Sequence, residues 1–131
     1  MPFVTDAVGA VEFIMLVSCL LMGASHIVRP RVWVDFFTGL HRAGTSGVIT
    51  RSFIEIWPAL IIVTFHQVWQ GVGIILTLYG WLLLAKVAIA LLAPRLGLRS
   101  LAMAERGERS FIAAGVVLLA IGASSGAALW T

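Results

Sequence analysis

Charge is what this sequence has least of. Only 11% of its 131 residues are Asp, Glu, Lys or Arg, against 60% apolar, and the mean hydropathy is +1.03. Soluble domains carry about 25% charged residues, so a soluble fold is excluded. A single cysteine, Cys19, excludes an internal disulfide, and the absence of any CxxC motif removes the commonest zinc signature. Stretches of about ten residues that alternate apolar and polar are missing, which argues against a membrane β-barrel. No basic residue occurs between Met1 and Asp6, so a cleavable signal peptide is not expected.

What remains is four nearly uncharged blocks: Ala7 to Val28, Phe53 to Trp69, Val72 to Ala93 and Phe111 to Trp130. Each approaches the ~20 residues that cross ~30 Å of hydrocarbon as a helix. The fold class expected is therefore all-α membrane, a single domain over residues 1–131 with four transmembrane helices. Eight of the nine basic residues are arginines at 29, 31, 42, 51, 95, 99, 106 and 109, all in the connections between helices one and two and helices three and four. Those two connections share one side, and the positive-inside rule makes that side cytoplasmic and leaves both termini outside. The pI near 10 thus reports topology and attraction to anionic lipid head groups, not nucleic acid.

Along the chain, Arg29-Pro30 ends the first helix, because proline cannot continue the hydrogen-bond ladder. Pro30 to Leu40, with aromatics beside charges, reads as a short amphipathic helix in the head-group region, broken up by Gly39, Gly44 and Gly47. The second span is expected to begin at Arg51-Ser52, to be kinked by Pro58, and to reach a tight turn at Trp69-Gln70-Gly71. The third stops at Ala93-Pro94, and a second amphipathic segment, Leu96 to Arg106, leads into the fourth. The halves resemble each other. Pro30-Arg31 matches Pro94-Arg95, and Arg51-Ser52-Phe53-Ile54 matches Arg109-Ser110-Phe111-Ile112, with six more residues between them in the first half. Residues 1–69 and 72–131 then form two parallel-related repeats of helix, interfacial segment, helix. Gly115, Gly122 and Gly126 share one face of the fourth helix, a small-residue stripe suited to packing within the molecule.

Each ionisable residue inside a span costs at least ~2.5 kcal/mol, so it is expected to face the bundle and find a partner. Glu55 and Lys86 lie fifteen and sixteen residues either side of Gln70, hence both ~23 Å from the turn. Helical spacing puts Glu12, Cys19, Gly23 and His26 on one stripe, Glu55, Ala59, Ile62 and His66 on another, and Tyr79 with Lys86 on a third. An inner cluster of His26, Glu55 and Lys86 is expected, and an outer pair of Glu12 and His66 that is partly wet. Either these are proton-relay groups, or Glu55 and Lys86 neutralise each other as a structural ion pair. Because only Cys19, Thr77 and Tyr79 offer polarity between the clusters, the structural reading is preferred. His26 and His66 fall at opposite ends and His41 in a loop, so a haem is not expected. Three converging metal ligands are missing, and no nucleophile has a base beside it, so no metal, cofactor or catalytic residue is assigned. Trp33, Trp57, Trp69 and Trp130 read as interface anchors, and Trp81 as a packing residue.

Phe65-His66-Gln67-Val68-Trp69, then Leu76-Thr77-Leu78-Tyr79-Gly80-Trp81, then Lys86 and Pro94, resembles a hairpin pattern of uncharacterised small bacterial four-helix membrane proteins: F-H-N-x-W, L-T-x-x-G-W, a lysine and a proline. Gln67 stands where that pattern has Asn, and the likeness covers about a quarter of the chain. The resemblance implies a bacterial inner membrane and no reaction, and directs attention to His66, Trp69, Thr77, Trp81 and Lys86. The function expected is a non-enzymatic accessory or assembly component, in a homo-oligomer or larger membrane complex. The rivals are a small proton-coupled transporter or channel, and an enzyme or cofactor binder using Glu12 and His66.

Overall fold

A computed structural model describes residues 4–131. Six α-helices follow in order: α1 (Ala7–Val28), α2 (Pro30–Arg42), α3 (Thr45–Phe65), α4 (Ile74–Leu92), α5 (Pro94–Leu101) and α6 (Glu108–Trp130), with no strand among the described residues. The segments containing α1, α3, α4 and α6 are long and apolar enough to cross a membrane. Short 3-10 turns, Gly71–Gly73 and Ala102–Arg106, precede α4 and α6.

Local chemistry explains the boundaries. Asp6 caps α1 by accepting from the Gly9 N–H at 2.8 Å. At the far end Pro30, with no N–H to give, stops α1 and becomes the first residue of α2; Pro94 does the same between α4 and α5. Gly44 and Gly107 adopt φ of +62° and +79° at the entries to α3 and α6, a backbone region that favours glycine.

The second span differs from the expectation at both ends. It begins six residues earlier, at Thr45, because only Gly44 breaks the chain; Gly39 lies within α2 and Gly47 within α3. A Cβ on Gly47 would fall 1.8 Å from the Leu40 carbonyl oxygen, so glycine here lets α3 start tight against α2. It also ends four residues earlier, at Phe65. Residues 66–70 are non-helical, with His66 and Val68 bound by the side chain of Thr77, so the turn is longer than the three residues expected. From Pro30, α2 runs 13 residues; from Pro94, an eight-residue helix and a five-residue 3-10 turn cover the same length. Most of the six-residue excess of the first half therefore sits in the first turns of α3.

Packing pairs the long helices as α1 with α6 and α3 with α4. The first pair is antiparallel and seated on glycine: a Cβ on Gly115 would meet the Gly23 carbonyl oxygen at 2.7 Å, and one on Gly23 would meet that of Gly115 at 2.8 Å. Lipid offers no hydrophobic drive between helices, so this close approach supplies the dispersion contact that holds them. The nearest contact is thus Gly23 with Gly115, and not the GxxxG pair Gly122 and Gly126, which receive Cys19, Leu20 and Leu16. Between the pairs lies a core of Val11, Met15, Cys19, Ile62, Leu76 and Ile121, with Tyr79 against it. At the basic end, α2 and α5 bring in Val34, Leu40 and Leu101, which pack on Phe111, Ala104 and Val48.

Candidate functional site

Two polar clusters stand at opposite ends of the bundle. At the turn end, Glu12 on α1 meets His66 just past α3, with carboxylate Oε1 3.0 Å from Nε2. His66 is wholly buried and Glu12 5% exposed, so the pair is dry, where partial wetting was expected. Nδ1 of His66 lies 2.9 Å from the Thr77 hydroxyl. That hydroxyl donates to the Val68 carbonyl oxygen at 2.7 Å and accepts from the Val68 N–H at 3.2 Å. A hydroxyl has one proton to give. With that proton on Val68, Nδ1 of His66 must be the donor to Thr77. The contact between Nε2 and Glu12 then holds one proton, on either partner, and the pair carries no net charge. A neutral pair fits a site buried this deeply.

The basic-end cluster is built on a helical spacing. Arg51 and Glu55, four apart on α3, meet through Nε and Oε1 at 2.5 Å, and Lys86 Nζ on α4 lies 3.0 Å from Oε2. Arg51 also donates from Nη1 to the Ser100 hydroxyl at 2.9 Å, with its guanidinium 4.8 Å from the centre of the Phe37 ring. Three helices, α2, α3 and α5, therefore meet at one guanidinium, and α4 joins them through Glu55. The side chains of Arg51 and Glu55 are 14% and 19% exposed, that of Lys86 43%. Lys86 was expected to face protein; it instead leans over an open groove, of about 320 Å³, between α3, α4 and α5. Its position explains this: six residues from the end of α4, the ammonium reaches outward along its own apolar stem.

His26 is not part of that cluster. Its ring stacks on Trp33 at 4.1 Å, Nδ1 contacts the Met22 carbonyl oxygen at 2.6 Å, and Phe111 lies 6.1 Å away. Helical phase put His26 at the right height but not in the right neighbourhood, because α1 pairs with α6. Trp33 in turn donates Nε1–H to Ser25 at 2.8 Å, a role beyond interfacial anchoring. Of the hairpin residues, His66 and Thr77 meet, while Trp69 and Trp81 point outward at 53% and 43% exposure, Trp81 contrary to expectation. Lys86 is nine residues from Thr77, ~13 Å along α4. Sequence reasoning missed Arg51 and Ser100. The spacing of Arg51 and Glu55 was a readable signal, whereas Ser100, forty-nine residues from Arg51, offered none.

Among the described residues no three His, Cys, Asp or Glu side chains converge as metal ligands. Comparison of the chain with protein-family models, with curated proteins and with solved structures finds no match.

Proposed function

We propose that the chain is a non-catalytic four-helix protein of a bacterial cytoplasmic membrane, acting as an accessory or assembly component through contacts with other membrane proteins. The observation that carries this reading is the pair Ala59 and Ile62, both wholly buried on the inward face of α3. They separate Glu55 from His66, eleven residues and so ~16 Å apart along the helix. A proton relay between the two ends needs a continuous run of polar groups or water over that distance, and Ile62 instead packs in a core of Val11, Met15, Leu76 and Ile121, where Cys19 and Tyr79 add only a thiol and a phenol. Each cluster is paired locally, Glu12 with His66 and Glu55 with Arg51 and Lys86, which is how polar groups fix one packing arrangement in a low-dielectric interior.

The arginine distribution supports an orientation with α2 and α5 on the cytoplasmic side and both termini outside. The pairing of α1 with α6 and of α4 with α3, and the proline and glycine signals repeated in the two halves, support a duplication about an axis along the membrane normal. Alkaline phosphatase fused after Thr131 is then expected to be active, and a fluorescent protein fused there dark.

Cross-linking in native membranes followed by purification tests the main reading. A membrane protein recovered in fixed stoichiometry is the expected result. If purified chain in proteoliposomes instead carries a pH-driven proton flux that a well-folded Glu12→Gln variant loses, the protein is a transporter.

A further inference from the structure

We propose that the groove between α3, α4 and α5 binds one anionic phospholipid from the basic side, with its phosphate at Lys86 and Ser100 and an acyl chain running past Ala85 and Leu82. Counted from the two prolines, the halves differ here in a telling way. Four residues before Pro30 is His26 and three after it is Trp33, and their stacked rings fill the space under α2. The same offsets from Pro94 give Ala90 and Gly97, which have no ring to stack; Val48 of α3 packs against them, and the groove lies beside that contact. The extra turn at the start of α3 supplies its far wall, where Val48 stands so close to Gly97 that a Cβ there would lie 2.7 Å from Val48 Cγ1.

Charge selects the occupant. Arg51 and Lys86 surround one carboxylate, Glu55, which leaves a net positive charge at the floor. The hydrogen-bonding of Arg51 is directed to Glu55 and Ser100, so Lys86, with a side chain 43% exposed and an ammonium that has three N–H donors for one carboxylate oxygen, is the group that reaches a ligand. A lysine ammonium binds phosphate as a point charge, and the Ser100 hydroxyl, which accepts from Arg51, keeps its own proton to donate. Arg95 and Arg99, exposed on α5, add positive charge on the same short helix. The rim is apolar and outward-facing, with Leu82 70% and Ile89 51% exposed, as suits a site entered sideways from the bilayer. A phosphate beside a cation within two turns of the basic end, with a hydrocarbon wall leading toward mid-membrane, is the layout of an anionic phospholipid.

The test is native mass spectrometry of the full chain released from nanodiscs of mixed phosphatidylglycerol and phosphatidylcholine. One phosphatidylglycerol retained per chain, in preference to phosphatidylcholine, is expected. A basic residue near an anionic surface contributes ~1 kcal/mol, so Lys86→Gln is expected to lower that retention about fivefold. Ala85→Trp, which fills the groove and leaves every charge in place, is expected to abolish it. Circular dichroism and gel filtration establish that both variants fold, and Arg42→Gln, exposed on α2 and not part of the groove lining, serves as a charge control with retention unchanged. Equal retention of the two lipids overturns the proposal. So does loss in Lys86→Gln with none in Ala85→Trp, which would reduce the effect to surface charge. Retention of a co-purifying protein in the groove in place of lipid overturns it as well.

Discussion

Thr77 determines where α3 ends. Its hydroxyl, on the first turn of α4, binds both the N–H and the carbonyl of Val68 and touches Nδ1 of His66, so the chain just past α3 is tied to a neighbouring helix. A backbone that leaves helical form in a dry site must find such partners, since each unsatisfied group costs about 1–3 kcal/mol.

Thr77→Val keeps the shape and removes the hydroxyl. It is expected to destabilise the chain by about 2–4 kcal/mol, because His66 and Val68 lose their partner at once. Thr77→Ser is expected to recover most of this. Equilibrium unfolding in mixed detergent micelles measures both, and a Val variant as stable as the parent would show that the turn holds itself.

Glu12 and His66 are coupled through one shared proton. Glu12→Leu leaves a buried imidazole facing hydrocarbon and is expected to cost about 3–5 kcal/mol. Glu12→Leu combined with His66→Leu is expected to be less unstable than the sum of the single changes by at least ~1 kcal/mol. Simple additivity in the same unfolding assay would deny the coupling.

The basic-end ion pairs are unequal. Lys86→Met is expected to change stability by less than ~1 kcal/mol, since the lysine is half exposed and Glu55 keeps Arg51. Arg51→Met strips Glu55, Ser100 and Phe37 of one shared partner and is expected to cost about 3 kcal/mol or more. Reversal of that order in thermal unfolding would make Lys86 the centre of the cluster.

Two glycines are expected to respond with opposite sign. Gly115→Ala drives a methyl into the Gly23 carbonyl and should destabilise by about 1–3 kcal/mol, with α1 and α6 forced apart. Gly39→Ala meets nothing within 4 Å and lies inside α2, so it should stabilise by about 0.5–1 kcal/mol. Melting temperatures of the two purified variants decide this.

The sequence alone determined how many spans there are and roughly where they start and stop. Hydrocarbon length and the cost of bare backbone in lipid leave a 20-residue apolar block no alternative to a helix, and prolines 30 and 94 mark their own breaks. Helical phase likewise put Glu12, Glu55, His26 and His66 on inward stripes, because one residue turns ~100° whatever surrounds it. Partnership was not legible in that way. His26 and Glu55 share a height, yet His26 pairs with Trp33 because Gly23 and Gly115 draw α1 onto α6. The same holds for the early end of α3, set by a hydroxyl eleven residues on, and for the groove, whose walls come from α3, α4 and α5 together. Period and length are properties of one helix; which side chains meet is a property of two, and only their packing fixes it.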